Sequence, residues 1–255
     1  MQQIAHKWDS ALYNDKHSFV YDYGVALFDL LNPKSHERIL DLGCGSGELT
    51  NKINEMASSV VGIDNSPEMI EKAKFSFPLC EFQVADAGDF EFYEPFDAIF
   101  SNAALHWVVD HKAAIGCMYK SLRSGGRMVV EFGGKDNVRT ITDQLRKSLL
   151  IRGYGEQAKL QLWYFPSIGK YTSELEAAGF KVSFSELYDR PTELADKNTG
   201  IMDWLTMFAA PFFKDVDDSD VHDILIEVQE SLRSDLFRNG KWFADYKRIR
   251  IVAHR

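Results

Sequence analysis

Ile39-Leu40-Asp41-Leu42-Gly43-Cys44-Gly45-Ser46-Gly47 is an apolar run of strand length that ends in three glycines at alternate positions. Such a run reads as a buried strand turning sharply into a helix, because glycine accepts positive φ and lets a ligand touch the backbone. The helix follows over Glu48 to Met56, where Leu49, Ile53 and Met56 recur at helical spacing. The turn is spaced G-x-G-x-G, whereas the dinucleotide fingerprint G-x-G-x-x-G needs a glycine where this chain has Glu48, so NAD is disfavoured. No Gly-Lys-Ser/Thr follows, which removes the P-loop as well. Asp41, two residues before the first glycine, would repel a pyrophosphate but can hold an ammonium, directly or through water.

Working outward, short apolar runs alternate with helical stretches, the pattern of a parallel sheet with helical crossovers. The expected strands are Arg38 to Leu42, Ser59 to Ile63, Cys80 to Val84, Ala98 to Ser101 and Gly126 to Phe132. Ser66 before Pro67 and Glu68 reads as an N-cap followed by proline at the first helical position, and Asp110 opens a crossover helix that stops at Ser124-Gly125-Gly126. After Gly133 and Gly134 come a helix from about Asn137 to Ile151, an aromatic loop at Trp163-Tyr164-Phe165-Pro166 and a short helix from Tyr171 to Ala178. Two strands remain, Lys181 to Tyr188 and Arg248 to Ala253. Between them lie helical patterns over Gly200 to Phe213 and Asp218 to Phe237, with an apolar face at Ile224, Leu225, Val228 and Leu232, which predict an inserted cap.

Two further acids end strands. Asp64 closes Val60-Val61-Gly62-Ile63 about twenty residues past the glycine turn, where a carboxylate accepts hydrogen bonds from both ribose hydroxyls. Asp86-Ala87 follows the third strand and offers a carboxylate to an exocyclic amine and a backbone N–H to a ring nitrogen, a pair suited to adenine. Singly each is an ordinary strand-end acid. Together, Asp41, Asp64 and Asp86 at three successive strand ends form a specific constellation.

Composition bounds the partners. The chain has 255 residues, and 29 Lys plus Arg against 38 Asp plus Glu give a net charge of −9, which argues against nucleic acid. Three cysteines without metal-ligand spacing suggest reduced thiols. No stretch reaches the roughly 18 apolar residues of a membrane span, and MQQIAHKWDS has no signal-peptide core, so a soluble cytoplasmic protein is expected.

The runs LDLGCGSG, GIDNSPEMI, Asp86-Ala87, FDAIFSNAALHWV and SLRSGGRMVVEF resemble the class I S-adenosylmethionine-dependent methyltransferases over roughly residues 36 to 132, and SNAALHWV resembles the trans-aconitate methyltransferase branch. The resemblance implies a doubly wound, seven-stranded Rossmann-like α/β sheet with the last strand antiparallel and a helical cap between the last strands. It divides the chain into an N-terminal helical segment closing over the cofactor (1–35), the cofactor-binding core (36–132), a helix and aromatic loop near the acceptor pocket (133–180), and the last two strands with the cap at about 190–240 (181–255). S-adenosylmethionine is the implied cofactor and S-adenosylhomocysteine the product. Gly43, Gly45 and Gly47 would underlie the methionine part, with Asp41 supporting its amino group. Asp64 would grip the ribose, Asn65 and Met69 line the adenine pocket, and Asp86 and Ala87 read the adenine edge. Ser101 would approach the methionine end, while Asn102, His106 and Trp107 face the transferable methyl. Tyr13, on the N-terminal segment, is a candidate for the methionine carboxylate or the sulfonium, which an aromatic face holds by its quadrupole.

The base-methylating motif Asn/Asp-Pro-Pro-Tyr/Phe is missing; Ser101-Asn102-Ala103-Ala104 stands there, in agreement with the charge. The expected reaction is O-methylation of a carboxylate on a small molecule. C- or N-methylation of a small molecule or lipid, and a non-catalytic cofactor-binding scaffold, are the alternatives. Trp163, Tyr164, Phe165 and Tyr171, with Trp204, Met207 and Phe208, either wall the acceptor pocket or fill the core of the cap. His106, Asp110 and His111 could suggest magnesium, but Asp110 reads better as a helix cap and no metal is expected. Cys44 reads as a small loop residue, and Arg190 as the weakest of the groups that could face an acceptor carboxylate. Neither the acceptor nor the oligomeric state is legible.

Overall fold

The computed structural model describes residues 27–255. Those residues divide into two compact units: 27–135, 163–188 and 248–255 form one, and 136–162 with 189–247 form the other.

The first unit is built on a seven-stranded sheet. Its strands are β1 (Arg38–Leu42), β2 (Ser59–Asp64), β3 (Glu81–Val84), β4 (Phe96–Asn102), β5 (Leu122–Gly133) and β6 (Lys181–Asp189); the second unit contributes short strands β7 (Thr192–Glu193), β8 (Phe237–Arg238) and β9 (Lys241–Ala244), and β10 (Lys247–His254) returns to the large sheet. The order is β3-β2-β1-β4-β5-β10-β6. β1 through β5 pair in parallel, whereas β10 runs antiparallel to β5, with Ile251 opposite Val130. Alternation along the strands explains why both faces are covered. Leu40, Leu42, Val61 and Ile63 pack on one face with Met118, Tyr171 and Leu175. Ile39, Val60, Ala98 and Val129 pack on the other with Leu27, Phe28 and Leu31.

The sheet reverses its winding between β1 and β4, so the loops after these strands lie side by side at their C-terminal ends. A ligand site is expected at such a switch point. The crossover helices start as the sequence predicts. Ser66 Oγ accepts from Met69 N–H at 3.3 Å ahead of Pro67, and Asp110 Oδ1 accepts from Ala113 N–H at 3.0 Å. The Ser124-Gly125-Gly126 stop is instead a bulge within β5, since the β4–β5 register jumps from Phe96 opposite Leu122 to Ala98 opposite Arg127.

The second unit packs helices Arg139–Ile151, Gly200–Phe208 and Asp218–Ser231 together with the three-stranded sheet β7-β9-β8. The cap is therefore not helical alone. Asn239 at φ 53° and Gly240 at φ 76° make the two-residue turn between β8 and β9. Trp204 is 2% exposed and donates from Nε1 to Tyr246 Oη at 2.7 Å; Met207 and Phe208 are buried too, so these three side chains belong to the core of this unit. No helix among the described residues is long and apolar enough to cross a membrane.

Candidate active site

The glycine turn folds over the end of β2: the N–H groups of Gly43 and Cys44 both donate to the Ile63 carbonyl, at 2.8 and 3.0 Å. Gly43, Gly45 and Gly47 take φ of +77°, +54° and +89°. The two outer glycines are required by neighbours as well as by φ. A Cβ on Gly43 would stand 2.1 Å from Ala104 Cβ, and one on Gly47 would stand 2.7 Å from the Phe82 ring. Gly45 differs, since its missing Cβ faces no atom of the described residues within 4 Å. Bare backbone facing open space is the cradle a bound cofactor needs.

Asp41 is 2% exposed, and its Oδ2 accepts from Thr50 Oγ1 at 2.6 Å. Burial pushes its carboxyl up to about 7, against the pull of the Thr50 hydroxyl and with a further push from Asp64. Asp64 spends its carboxylate on the loops: Oδ2 accepts from Gly45 N–H at 3.0 Å and Oδ1 from Ser66 N–H at 2.9 Å. Burial raises its pKa too, while those two N–H groups oppose the rise. Each carboxylate oxygen keeps a second lone pair, so two ribose hydroxyls can still be accepted. Asp86 is exposed at the end of β3 and accepts from Gly88 N–H at 2.7 Å, with Ala87 half-buried beside it. Asn65 is exposed next to Asp64, and Met69 is buried one turn into the following helix. The bare glycine turn, two carboxylates within reach of it and a third at the neighbouring strand end fit S-adenosylmethionine.

The segment after β4 completes the constellation. Ser101 is fully buried and donates to the Leu42 carbonyl at 2.7 Å, which ties β4 to the end of β1. Asn102 is half-buried, and Ala103 at φ 58° donates its N–H to the Glu131 carbonyl at 2.7 Å. A short 3-10 turn, Leu105–Trp107, then presents His106 and Trp107. His106 is 8% exposed, and its Nδ1 accepts from Gly133 N–H at 3.4 Å.

The aromatic loop is laid over this turn as an extended strap. Tyr164 N–H donates to the His106 carbonyl at 2.9 Å, and Lys135 N–H donates to the Pro166 carbonyl at 2.8 Å. Alternation puts Trp163 and Phe165 on one side, where Phe165 lies 5.8 Å from the His106 ring and Trp163 lies 5.7 Å from Trp107. Tyr164 takes the other side, stacked at 3.7 Å on His111 with its hydroxyl donating to Glu174 at 2.7 Å. His111 Nε2 in turn lies 3.3 Å from Glu174. His111 and Asp110 are thus engaged in fastening the strap and capping a helix, and among the described residues no three His, Cys, Asp or Glu side chains converge as a metal site.

Of the residues expected from sequence, Asp41, Asp64, the three glycines, Ser101, Asn102, His106 and Trp107 gather at the C-terminal ends of β1, β2 and β4, and Asp86 and Ala87 stand at the end of β3. Tyr13 lies outside the described residues. Arg190 belongs to the second unit, where it is buried and its N–H donates to the Tyr246 carbonyl at 2.7 Å. Sequence reading missed Thr50, whose position one turn into the helix after a glycine turn was the available signal. It also missed the Gly133 N–H, a backbone group with no side-chain signal.

A family profile described as "Methyltransferase domain" matches residues 33–178. The chain is 35% identical to an uncharacterised methyltransferase of Schizosaccharomyces pombe, covering 97% of this chain and 98% of that one. It is 28% identical to the trans-aconitate 2-methyltransferase of Escherichia coli over 86% of each chain. Among solved structures, an S-adenosylmethionine-dependent methyltransferase from Mesorhizobium loti shares the fold with a TM-score of 0.55 at 20% identity, over 91% of this chain and 96% of that one. With the glycine turn and strand-end acids arranged to receive that cofactor, the chain belongs to the methyltransferase domain family and is an S-adenosylmethionine-dependent methyltransferase.

Proposed function

We propose that the enzyme methylates a carboxylate oxygen of a small, mainly apolar acceptor. The observation that carries this reading is the half-buried aromatic shelf of Trp107, Trp163 and Phe165 around a single imidazole, set beside the glycine turn. Apolar walls with one or two polar groups suit a small organic ligand. The relative named for trans-aconitate supports an acid as the acceptor.

S-adenosylmethionine, when bound, would supply a sulfonium methyl group for the acceptor oxygen, with S-adenosylhomocysteine as the product. The chain's own residues hold and align. Gly43, Gly45 and Gly47 would hold the methionine part, and Asp41 would support its amino group. Asp64 would accept the ribose hydroxyls, while Asn65, Met69, Asp86 and Ala87 would hold the adenine. Ser101 fixes the end of β4 beneath the methionine end, and Asn102, His106 and Trp107 border the acceptor. A carboxylate with an ordinary pKa near 4 is ionised at neutral pH, so the new C–O bond forms from a lone pair already present and no proton needs to move. Alignment and exclusion of water are then the protein's contribution, worth up to about 7–11 kcal/mol in favourable cases. A carboxylate stripped of water needs a donor in exchange, since otherwise the transfer costs several kcal/mol.

The test is methyl transfer from labelled cofactor to a panel of acids including trans-aconitate, together with phenols and amines. Base-labile methyl esters are the expected product. Methylated phenols or amines with unmodified acids would refute the carboxylate while leaving the methyltransferase intact.

A further inference from the structure

The strap that carries Trp163 and Phe165 is joined to its surroundings by two backbone bonds, Tyr164 N–H to the His106 carbonyl and Lys135 N–H to the Pro166 carbonyl. Two such bonds set the distance of an extended segment, but they let it turn about the line that joins them. The side chain between Trp163 and Phe165 stops that turn. The Tyr164 ring is stacked on His111 at 3.7 Å and 9°, and Lys170 Nζ lies 4.8 Å from its centroid. Its hydroxyl donates to Glu174 Oε2 at 2.7 Å, and His111 Nε2 lies 3.3 Å from Glu174 Oε1. A carboxylate only accepts, so His111 donates there too. One carboxylate thus ties together both rings of the stack, one from the strap and one from the first turn of the helix His111–Ser121.

Glu174 is itself held in place. The strap runs into Ser167, whose Oγ accepts from Lys170 N–H at 3.2 Å and caps the helix Ile168–Ala177. Tyr171 and Leu175, 2% and 0% exposed, bury that helix against the sheet and leave Glu174 on its flank toward Tyr164. The Glu174 side chain is only 16% exposed. Taking a carboxylate this far out of water costs free energy that an apolar side chain here would not, so its bonds serve to fix a geometry. Burial, reinforced by the bond to Glu174, holds the Tyr164 hydroxyl well above the usual phenol range, which keeps it a donor at neutral pH. We infer that Glu174 is a positioning residue: by clamping Tyr164 to His111 it sets how Trp163 and Phe165 lie against the His106–Trp107 turn, and so how the acceptor is aligned, while the cofactor's hold on the glycine turn does not depend on it. The consequence for the acceptor rests on the function proposed above; the placement of the two side chains does not.

Fluorine NMR on protein carrying 5-fluorotryptophan and loaded with S-adenosylhomocysteine reads the placement directly, with Trp107 and Trp163 assigned by loss of their signals in Trp107→Phe and Trp163→Phe. Glu174→Ala should move both signals and leave those of Trp204 and Trp242, which are buried in the other unit, where they are. Glu174→Gln keeps an oxygen for the Tyr164 hydroxyl and should return both most of the way. Tyr164→Phe loses one oxygen and keeps the ring; it should move the same two signals and decides the matter if Glu174→Ala does not fold. A Trp163 signal that stays in place overturns the inference. Kinetics with trans-aconitate adds a second readout, because a misplacement of about 1 Å costs on the order of 10²-fold. Glu174→Ala should lower kcat/KM about tenfold or more, chiefly through KM, and Glu174→Gln should recover most of it, with affinity for S-adenosylhomocysteine unchanged in both. Parental kcat/KM despite moved signals, or cofactor affinity falling in step with kcat/KM, overturns the inference. If the signals move as expected and the parent does not methylate trans-aconitate, the carboxylate reading fails while the placement of the strap stands. Unmoved signals in a parent that does methylate it give the reverse.

Discussion

Asp41→Asn should stabilise the ligand-free enzyme and weaken its hold on the cofactor. The carboxyl is raised from 3.8 to about 7, chiefly by burial. Because the folded state holds the proton more tightly than the unfolded chain, the shift counts against folding once the unfolded carboxyl ionises. The cost is absent below about pH 4, grows between pH 4 and 7 and levels off above. A shift of about three pK units at about 1.4 kcal/mol each bounds it at about 4 kcal/mol. Asparagine keeps an oxygen for the Thr50 hydroxyl and removes the charge, so at pH 8 the variant should be more stable by about 2–4 kcal/mol. In a chain of this size each kcal/mol raises Tm by about 2–4 °C. The gap should shrink by more than half between pH 8 and pH 5. An ammonium placed beside Asp41 reverses the balance, since it favours the ionised carboxyl. Binding of S-adenosylhomocysteine near pH 7 should therefore release protons, seen in calorimetry as a heat that depends on the ionisation enthalpy of the buffer. The variant should lose that dependence along with affinity. A variant no more stable than the parent at pH 8, or a stability gap that does not change with pH, would refute the reasoning.

Asp64→Ala should weaken S-adenosylhomocysteine by about 1–3 kcal/mol in calorimetry, one or two hydrogen bonds, because its carboxylate braces Gly45 and Ser66 and, on the proposed reading, would meet the ribose; undiminished affinity would contradict this role. Gly43→Ala forces a Cβ to within 2.1 Å of Ala104 and should lower thermal stability as well as binding. Gly45→Ala meets no atom of the described residues within 4 Å, so its stability should fall only by the strain of a positive φ, about 1 kcal/mol, while cofactor affinity drops much further. Tyr164→Phe removes the donor to Glu174 and should cost about 1 kcal/mol of stability, measured by denaturant unfolding, since it loosens the strap without exposing a large apolar surface.

The sheet was legible because its strands are buried on both faces and so appear as apolar runs cut by glycine and acid, with Asp41 and Asp64 marking strand ends. Caps such as Ser66 and Asp110 were legible because a side-chain oxygen three residues before a free N–H is a local device. The β8–β9 hairpin carried an equally local signal, Asn239-Gly240, that went unread after the strong helical pattern of Asp218 to Phe237. Other features arise from the folded backbone. Gly133 N–H meets His106 Nδ1 across 27 positions, and the strap position of Trp163 and Phe165 is set by the carbonyl of His106 and the N–H of Lys135. A backbone donor leaves no letter in the sequence. The cofactor half of the site is thus written in residue identities, glycines and acids at fixed strand ends. The turn after β4 is shaped instead by the backbone groups that the fold brings against it, so two chains that share LDLGCGSG can differ there. For that reason resemblance at the glycine turn identifies the cofactor, whereas the surroundings of the turn after β4 are read only from the fold.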